Sequence, residues 1–281
     1  MKIFHQAKKS LGQNFLKSEV ALQKIIEAGE IKQDDVILEI GPGRGALTKK
    51  LLASSCQLIA VEKDKELFDL LKEKFKEEIL SGQLILICDD ILNFNLSYKL
   101  LTKSYKLIAN IPYNITGAIL KKFLTEKQQP ERMVLLVQHE VAKRIVARDN
   151  KESVLSISVK AYGEPKMIMK VEARYFSPAP KVDSAIISIK NISRKNFTSP
   201  PAPLLAKERV AQKSSGPGEV NEENFWQIVK TGFAHKRKKL ANNLKSLKYF
   251  KSMGQKEKLE KLGNKRAEDL TLSDWISLAK Q

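Results

Sequence analysis

The sequence of 281 residues predicts a doubly wound α/β domain followed by a small all-helical domain. Three observations support this: apolar runs alternate with helical patterns up to about residue 147, two β runs then follow one another, and residues 219–281 are helical and basic. Strands separated by helices are typical of βαβ units around a parallel sheet. The two consecutive β runs predict an antiparallel hairpin at one edge of that sheet.

Each element follows from its pattern of apolar residues. The strands predicted for the parallel part are Val36–Ile40, Leu58–Val61, Leu84–Ile87, Lys106–Ala109 and Met133–Val137. The helices predicted between them are Ala46–Ala53, Glu66–Phe75, Thr116–Leu124 and Glu140–Ala147. The turn-rich residues 177–180 separate the last two β runs, Met167–Phe176 and Val182–Lys190. The sheet is therefore predicted to be mostly parallel and to have seven strands.

Composition divides the chain into three parts. Residues 1–192 contain the alternating pattern and are predicted to form the α/β domain. Residues 193–218 contain two stretches rich in Pro, Ser and Gly, so we expect a flexible linker there. Residues 219–281 are predicted to form the helical domain.

The net charge of +18 points to a polyanionic partner, because such an excess destabilises a compact state through self-repulsion. Most of the excess lies outside residues 21–192, and residues 219–281 alone hold fourteen basic and eight acidic side chains. We therefore expect a nearly neutral core flanked by basic contact surfaces. The cluster Lys236, Arg237 and Lys238, expected to open a helix, is predicted to contact RNA phosphates.

Other classes of protein are disfavoured. The two cysteines, Cys56 and Cys88, give no disulfide framework and no metal site. The sequence shows neither a signal peptide nor a segment able to span a bilayer, so we expect a cytoplasmic protein without a membrane partner.

A glycine loop follows the first predicted strand and reads Gly41-Pro42-Gly43-Arg44-Gly45. Glycines there permit a tight turn and let a ligand approach the backbone. The spacing differs from that of dinucleotide loops, which favours a cofactor without a pyrophosphate. Glu62 ends the second strand, where a carboxylate accepts ribose hydroxyls, and Asp90 follows the third, where one accepts an adenine amine. Together these elements predict an S-adenosylmethionine pocket, with no metal required.

The fourth strand leads into Asn110-Ile111-Pro112-Tyr113. An adenine amine is a poor nucleophile, and the side-chain oxygen of Asn110 with the carbonyl of Ile111 would hold both of its hydrogens. Tyr113 offers a face for stacking a flipped base, a contact worth roughly 1–3 kcal/mol. Phe176 is predicted to close the other side of the base. Catalysis would then depend on positioning and electrostatics.

These residues resemble the ribosomal RNA adenine dimethyltransferase family, whose fold is a Rossmann-like class I methyltransferase. The segments that carry the resemblance are Lys9–Leu16, Glu39–Thr48, Glu62, Asp90, Asn110–Tyr113, Phe176–Ala185 and Phe233–Leu244. The resemblance implies that Asn14 and Leu16 help cover the cofactor and that Gly41 lies against its methionine part. It also implies Glu62 on the ribose, Asp90 on the adenine and Asn110 at the methyl-transfer site.

The resemblance further implies the substrate. The expected enzyme is a monomer that dimethylates two adjacent adenosines near the 3′ end of 16S rRNA within an assembling 30S particle. Three alternatives stay open. The first is a large-subunit (23S) enzyme of the macrolide-resistance type, because Ile111 also occurs in those enzymes. The other two are a non-catalytic RNA-binding assembly factor and a DNA amine methyltransferase.

Overall fold

The structure is a computed structural model that describes residues 6–95, 104–147, 149, 151–197, 220–251 and 253–280. Its strands are β1 (Phe15–Leu16), β2 (Val36–Ile40), β3 (Gln57–Glu62), β4 (Leu84–Cys88), β5 (Tyr105–Asn110), β6 (Arg132–Gln138), β7 (Glu164–Val171), β8 (Phe176–Ser177) and β9 (Ser184–Lys190). Its first helices are α1 (Glu19–Gly29), α2 (Ala46–Leu52), α3 (Lys65–Lys74), α4 (Lys76–Leu80), α5 (Thr116–Thr125) and α6 (His139–Val146). The later helices are α7 (Val154–Lys160), α8 (Glu222–Gly232), α9 (Leu240–Leu244), α10 (Met253–Glu260) and α11 (Leu272–Ala279).

The main sheet has seven strands in the order β4-β3-β2-β5-β6-β9-β7. The first five run parallel, whereas β9 is antiparallel to both β6 and β7. The predicted mostly parallel sheet with an antiparallel hairpin at its edge is confirmed. All five parallel strands lie where the apolar runs predicted them, within one residue at each end.

The predicted β run Met167–Phe176 was wrong at its carboxyl end. Strand β7 stops at Val171, and the chain then makes a 3-10 turn, Ala173–Tyr175. The Asp183 carboxylate accepts a hydrogen bond from the Ala173 amide at 3.0 Å, which fixes this turn. Phe176 therefore leaves the main sheet and pairs with Leu16 in a separate two-stranded sheet formed by β1 and β8.

Helix α1 shows how the layers assemble around the sheet. Its first turn begins at Ser18, whose hydroxyl accepts from the Ala21 amide at 3.2 Å. The buried face of the helix presents Leu22 and Ile25 to the sheet core. Strand β2 is buried along its whole length, as expected for a central strand covered on both faces.

The chain divides into two compact units. The first comprises Met1–Lys143 with Gly163–Ile192 and holds the sheet; the second comprises Arg144–Tyr162 with Ser193–Gln281 and holds α7 to α11. Of the predicted linker, residues 193–197 are described and end at the buried Phe197, whose ring lies 5.3 Å from that of Tyr162. Residues 198–219 lie outside the described part of the chain.

The second unit has its own apolar core. Trp275 of α11 is fully buried and stacks on Phe233 with a ring separation of 5.4 Å. Asn243 of α9 donates to the carbonyls of Gly232 and His235 at 2.7 and 3.2 Å, which fixes the turn between α8 and α9. Within the described residues, no helix combines the length and apolar character that crossing a membrane requires.

Candidate active site

A cavity of about 370 Å³ opens at the carboxyl ends of the parallel strands in the first unit. Open α/β sheets bind ligands at this edge, and the volume falls within the range of about 300–1,000 Å³ typical of small-molecule sites. The lining includes six of the residues predicted from the sequence: Asn14, Leu16, Gly41, Glu62, Asp90 and Asn110. Tyr113 also lines it. The fold thus brings together residues from five separate segments.

The glycine loop leaves open space in front of the backbone. Gly41 has a φ of +62°, and a Cβ built on it would meet nothing within 4 Å. Gly43 has a φ of +61°, and a Cβ there would come within 3.0 Å of the Phe15 ring. Only glycine therefore permits both the turn and the close approach of Phe15. The free space at Gly41 faces the cavity and could hold a ligand.

Glu62 is held rigidly at the end of β3. Its Oε2 accepts from the Gly43 amide at 3.0 Å and its Oε1 from the Asp64 amide at 2.8 Å. The side chain is 6% exposed, and burial raises the pKa of its carboxyl. Each oxygen keeps a second lone pair that can accept from a ligand hydroxyl.

A second buried acid, Glu39, lies in β2 behind the glycine loop and also lines the cavity. Burial raises the pKa of its carboxyl to about 8. The Thr48 hydroxyl lowers this pKa, and the charge of the nearby Glu62 raises it further. Its Oε2 is buried without a hydrogen-bond partner among the described residues. No role for Glu39 was predicted from the sequence, because an acid within an apolar strand gives no signal of its own.

Asp90 follows β4, the strand paired with β3, and also lines the cavity. Its Oδ2 lies 2.9 Å from Nζ of Lys63, and its Oδ1 accepts from the Leu92 amide at 3.0 Å. The hydrogen bond from Lys63 lowers the pKa of this carboxyl. Asp89, by contrast, is exposed and accepts from the amide of Asp90.

The segment 8–16, here called the strap, borders the cavity. Gln13 donates to Oδ2 of Asp64 at 2.8 Å, and Lys8 donates to Oδ1 of the same carboxylate at 2.8 Å. Asp64 is 3% exposed and also accepts from the Glu66 amide at the start of α3. These two hydrogen bonds to Asp64 were not predicted from the sequence. The only signal was Asp64 in the position of a helix N-cap.

The strap also reaches the predicted methyl-transfer loop. Nδ2 of Asn110 donates to the backbone carbonyl of Asn14 at 3.1 Å, which leaves Oδ1 of Asn110 for another donor. The hydroxyl of Tyr113 lies 2.6 Å from Oγ of the buried Ser184, so the ring is anchored at its far end. Burial raises the pKa of that hydroxyl. Its pairing with Ser184 was not evident from the sequence.

Phe176 lies apart from these residues. It is 2% exposed, belongs to the hydrophobic core and pairs with Leu16, whereas Ser177 lines the cavity. The structure thus places the backbone of β8 beside the cavity and the Phe176 ring in the core. The contact of Phe176 with a base stays a prediction.

The predicted RNA-contacting residues Lys236, Arg237 and Lys238 lie in the second unit, and all three are exposed. The expectation that they open a helix was wrong, because α8 ends at Gly232 and α9 begins only at Leu240. They occupy the intervening turn, which Asn243 fixes. Among the described residues, no group of three metal-ligating side chains occurs.

Comparison with known proteins identifies the family. Residues 4–201 match the family model described as Ribosomal RNA adenine dimethylase. The chain belongs to this family. It is therefore an S-adenosylmethionine-dependent rRNA adenine dimethyltransferase, as the resemblance implied. S-adenosylmethionine is the methyl donor of the family.

Individual relatives cover most of the chain. The Ribosomal RNA small subunit methyltransferase A of Dehalococcoides mccartyi (strain CBDB1) is 40% identical over 241 residues, which cover 85% of this chain and 75% of the relative. The protein of the same name from Fusobacterium nucleatum subsp. nucleatum is 36% identical over 278 residues, covering 97% and 96%.

Two solved structures share the fold. The dimethyladenosine transferase from Plasmodium falciparum superposes with a TM-score of 0.74 at 25% identity, covering 94% of this chain and 95% of that one. The 23S rRNA methyltransferase ErmE superposes with a TM-score of 0.70 at 24% identity, covering 94% and 98%. The second likeness concerns the fold alone.

Proposed function

We propose that this enzyme dimethylates the N6 amines of two adjacent adenosines near the 3′ end of 16S rRNA. It acts as a monomer in the cytoplasm on an assembling 30S particle. The small-subunit target is supported by the relatives named above, which are small-subunit methyltransferases at 36–40% identity. The proposed methyl transfer is supported by the position of Asn110, which lines the same cavity as Gly41 and Glu62.

The cofactor is expected to lie along the strand ends. S-adenosylmethionine supplies a methyl group on a positively charged sulfur, which is electrophilic without further activation. The open space at Gly41 fits its methionine part, the carboxylate of Glu62 fits the ribose hydroxyls, and Asp90 fits the adenine amine. Asn14 and Leu16 cover it from the strap. The carboxylates of Glu62 and Asp90 present acceptors for the hydroxyl and amine hydrogens that they would bind.

The target amine is activated by its hydrogen bonds. Oδ1 of Asn110 and the carbonyl of Ile111 accept its two hydrogens, and this favours a pyramidal nitrogen with its lone pair directed at the methyl group. The nitrogen would form an N–C bond as the S–C bond of the donor breaks and its electron pair stays on sulfur, and the nitrogen would then lose one proton to water. A second donor would methylate the remaining N–H in the same way. Tyr113, anchored on Ser184, supports the flipped base by stacking.

Selection of the ribosomal subunit is the decisive test. The purified enzyme is incubated with labelled S-adenosylmethionine and with unmethylated small or large subunits in separate reactions, and the modified nucleotides are mapped. We expect dimethyladenosine at two adjacent positions in the small subunit and no label in the large one. Label only in the large subunit would transfer the assignment to the 23S type, and no label in either would support a non-catalytic assembly factor.

A further inference from the structure

A second cleft of about 430 Å³, here called the outer cleft, adjoins the cavity described above. The two share the strap residues Ser10, Gly12 and Asn14 and the loop residues Tyr113 and Asn114. Because Tyr113 and Asn114 line both, the outer cleft borders the predicted methyl-transfer loop.

Gln138 lines the outer cleft but not the inner cavity. It is the last residue of β6, and in the sheet it is paired with Ser184 of β9. Ser184 in turn holds the hydroxyl of Tyr113. Two residues earlier on β6, Leu136 is paired with Asn110 of β5. The sheet register thus places Gln138 beside Ser184, which holds Tyr113, and two residues along β6 from the partner of Asn110.

The carboxamide of Gln138 is half-buried, and no residue in the described part of the chain donates to it or accepts from it. Other half-buried glutamines of the first unit are bound: Gln13 donates to Asp64 at 2.8 Å and Gln83 to the Leu52 carbonyl at 2.8 Å. The carboxamide atoms are not among the fully buried polar atoms, so water reaches them. A carboxamide that lines a cleft and makes no hydrogen bond within the described part of the chain is available to a ligand.

Adenine presents the complementary chemistry. Its amine is flanked by two ring nitrogens, N1 and N7, that accept hydrogen bonds, and glutamine pairs with adenine edges through its amide. With both amine hydrogens held by Asn110 and the Ile111 carbonyl, a ring nitrogen is the group left to recognise. Resting on the proposed function, we propose that Gln138 donates its side-chain N–H to a ring nitrogen beside the target amine. This contact fixes the rotation of the base in its plane.

The test compares Gln138→Ala, Gln138→Met and the wild type on subunits reconstituted with adenosine, 1-deazaadenosine or 7-deazaadenosine at the target position. Gln57→Ala, an exposed position at the start of β3, is the matched control. On adenosine, we expect both Gln138 variants to lower kcat/KM about tenfold, the effect of one hydrogen bond of about 1.4 kcal/mol. Affinity for S-adenosylmethionine should be unchanged, since Gln138 does not line the inner cavity.

On one of the two deaza analogues, the wild type and the Gln138 variants should become equal, which identifies the ring nitrogen that Gln138 contacts. The proposal is overturned if Gln138→Met keeps the wild-type kcat/KM on adenosine. It is equally overturned if the variants stay about tenfold slower than the wild type on both analogues. Gln138→Met preserves the length of the side chain, so a folding defect confined to the alanine variant leaves the test intact. The comparison is made on whichever subunit the wild type methylates. An error in the small-subunit assignment therefore does not affect the result for Gln138.

Discussion

The side-chain nitrogen of Asn110 donates to the backbone carbonyl of Asn14 at 3.1 Å, across 96 positions of sequence. This bond joins the strap to the loop that would hold the target amine. It also sets the orientation of the Asn110 carboxamide, because the nitrogen is engaged and the oxygen is left for the substrate. Through Gln13, the same strap is attached to Asp64, two residues beyond Glu62. The strap therefore contacts both Asp64, near Glu62, and Asn110.

Asn110→Ala is predicted to abolish methyl transfer while leaving RNA binding nearly unchanged. The variant loses the acceptor for the target amine and the bond to Asn14, but no exposed basic group. Methyl incorporation and subunit binding are measured separately, with Asn93→Ala as an exposed control outside the cavity. Dimethylation by Asn110→Ala at the wild-type rate would show that the assigned site is wrong.

Glu62→Ala is predicted to weaken the binding of S-adenosylmethionine by about 10- to 100-fold, because hydrogen bonds to a charged group contribute roughly 1.5–3 kcal/mol. RNA binding should change far less. Calorimetric titration with the cofactor measures the effect, and Glu73→Ala, exposed on α3, is the control. Unchanged cofactor affinity in the Glu62 variant would remove this residue from the proposed pocket.

The sequence predicts residues at the ends of strands, but it does not predict contacts between side chains that are far apart in the chain. The position of Gly41, Glu62 and Asp90 around one cavity was predictable because each lies at the end of a recognisable strand, and parallel strands end at a common edge. The hydrogen bonds of Gln13 and Lys8 to Asp64 were not predictable. They are made by side chains alone, and the partners are separated by 51 and 56 positions in the sequence. Phe176 belongs to a strand of two residues, which is too short to show a period.

The raised pKa of Glu39 is predicted to make the stability of the folded protein depend on pH. The pKa of its carboxyl is raised from 4.5 to about 8 in the folded protein, so the native state retains a proton that the unfolded state has released. Between these pH values, stability should fall as pH rises, by up to about 1.4 kcal/mol per unit. Glu39→Gln does not titrate, and its free energy of unfolding should decline less steeply across this window.

Chemical denaturation of both proteins at pH 5, 6, 7 and 8, without cofactor, measures the difference. Glu62, whose pKa is also raised by burial, is present in both proteins, so its titration is part of both profiles. Parallel profiles for the two proteins would mean that Glu39 is already ionised in the folded state at neutral pH.

Gln13→Ala is predicted to speed cofactor dissociation roughly three- to tenfold while changing association little. The substitution removes the bond to Asp64 and the bond that Gln13 accepts from the Lys8 amide at 2.7 Å, each worth about 0.5–1.5 kcal/mol. Stopped-flow displacement gives both rate constants, and Gln23→Ala, exposed on α1, is the control. A dissociation rate equal to that of the wild type would mean that the strap does not retain the cofactor.

Removing charge at Lys236, Arg237 and Lys238 is predicted to flatten the salt dependence of RNA binding. Each phosphate contact contributes about 0.7–0.9 to the slope of log K against log salt concentration, so loss of three contacts should reduce the slope by about two to three. A control variant neutralises Lys72, Lys76 and Lys127, three exposed lysines of the first unit, and thereby matches the change in net charge. Because both variants lose the same charge, a smaller slope in the first alone assigns the contacts to the turn between α8 and α9. Equal slopes in the two variants would reduce the cluster to a solvated surface.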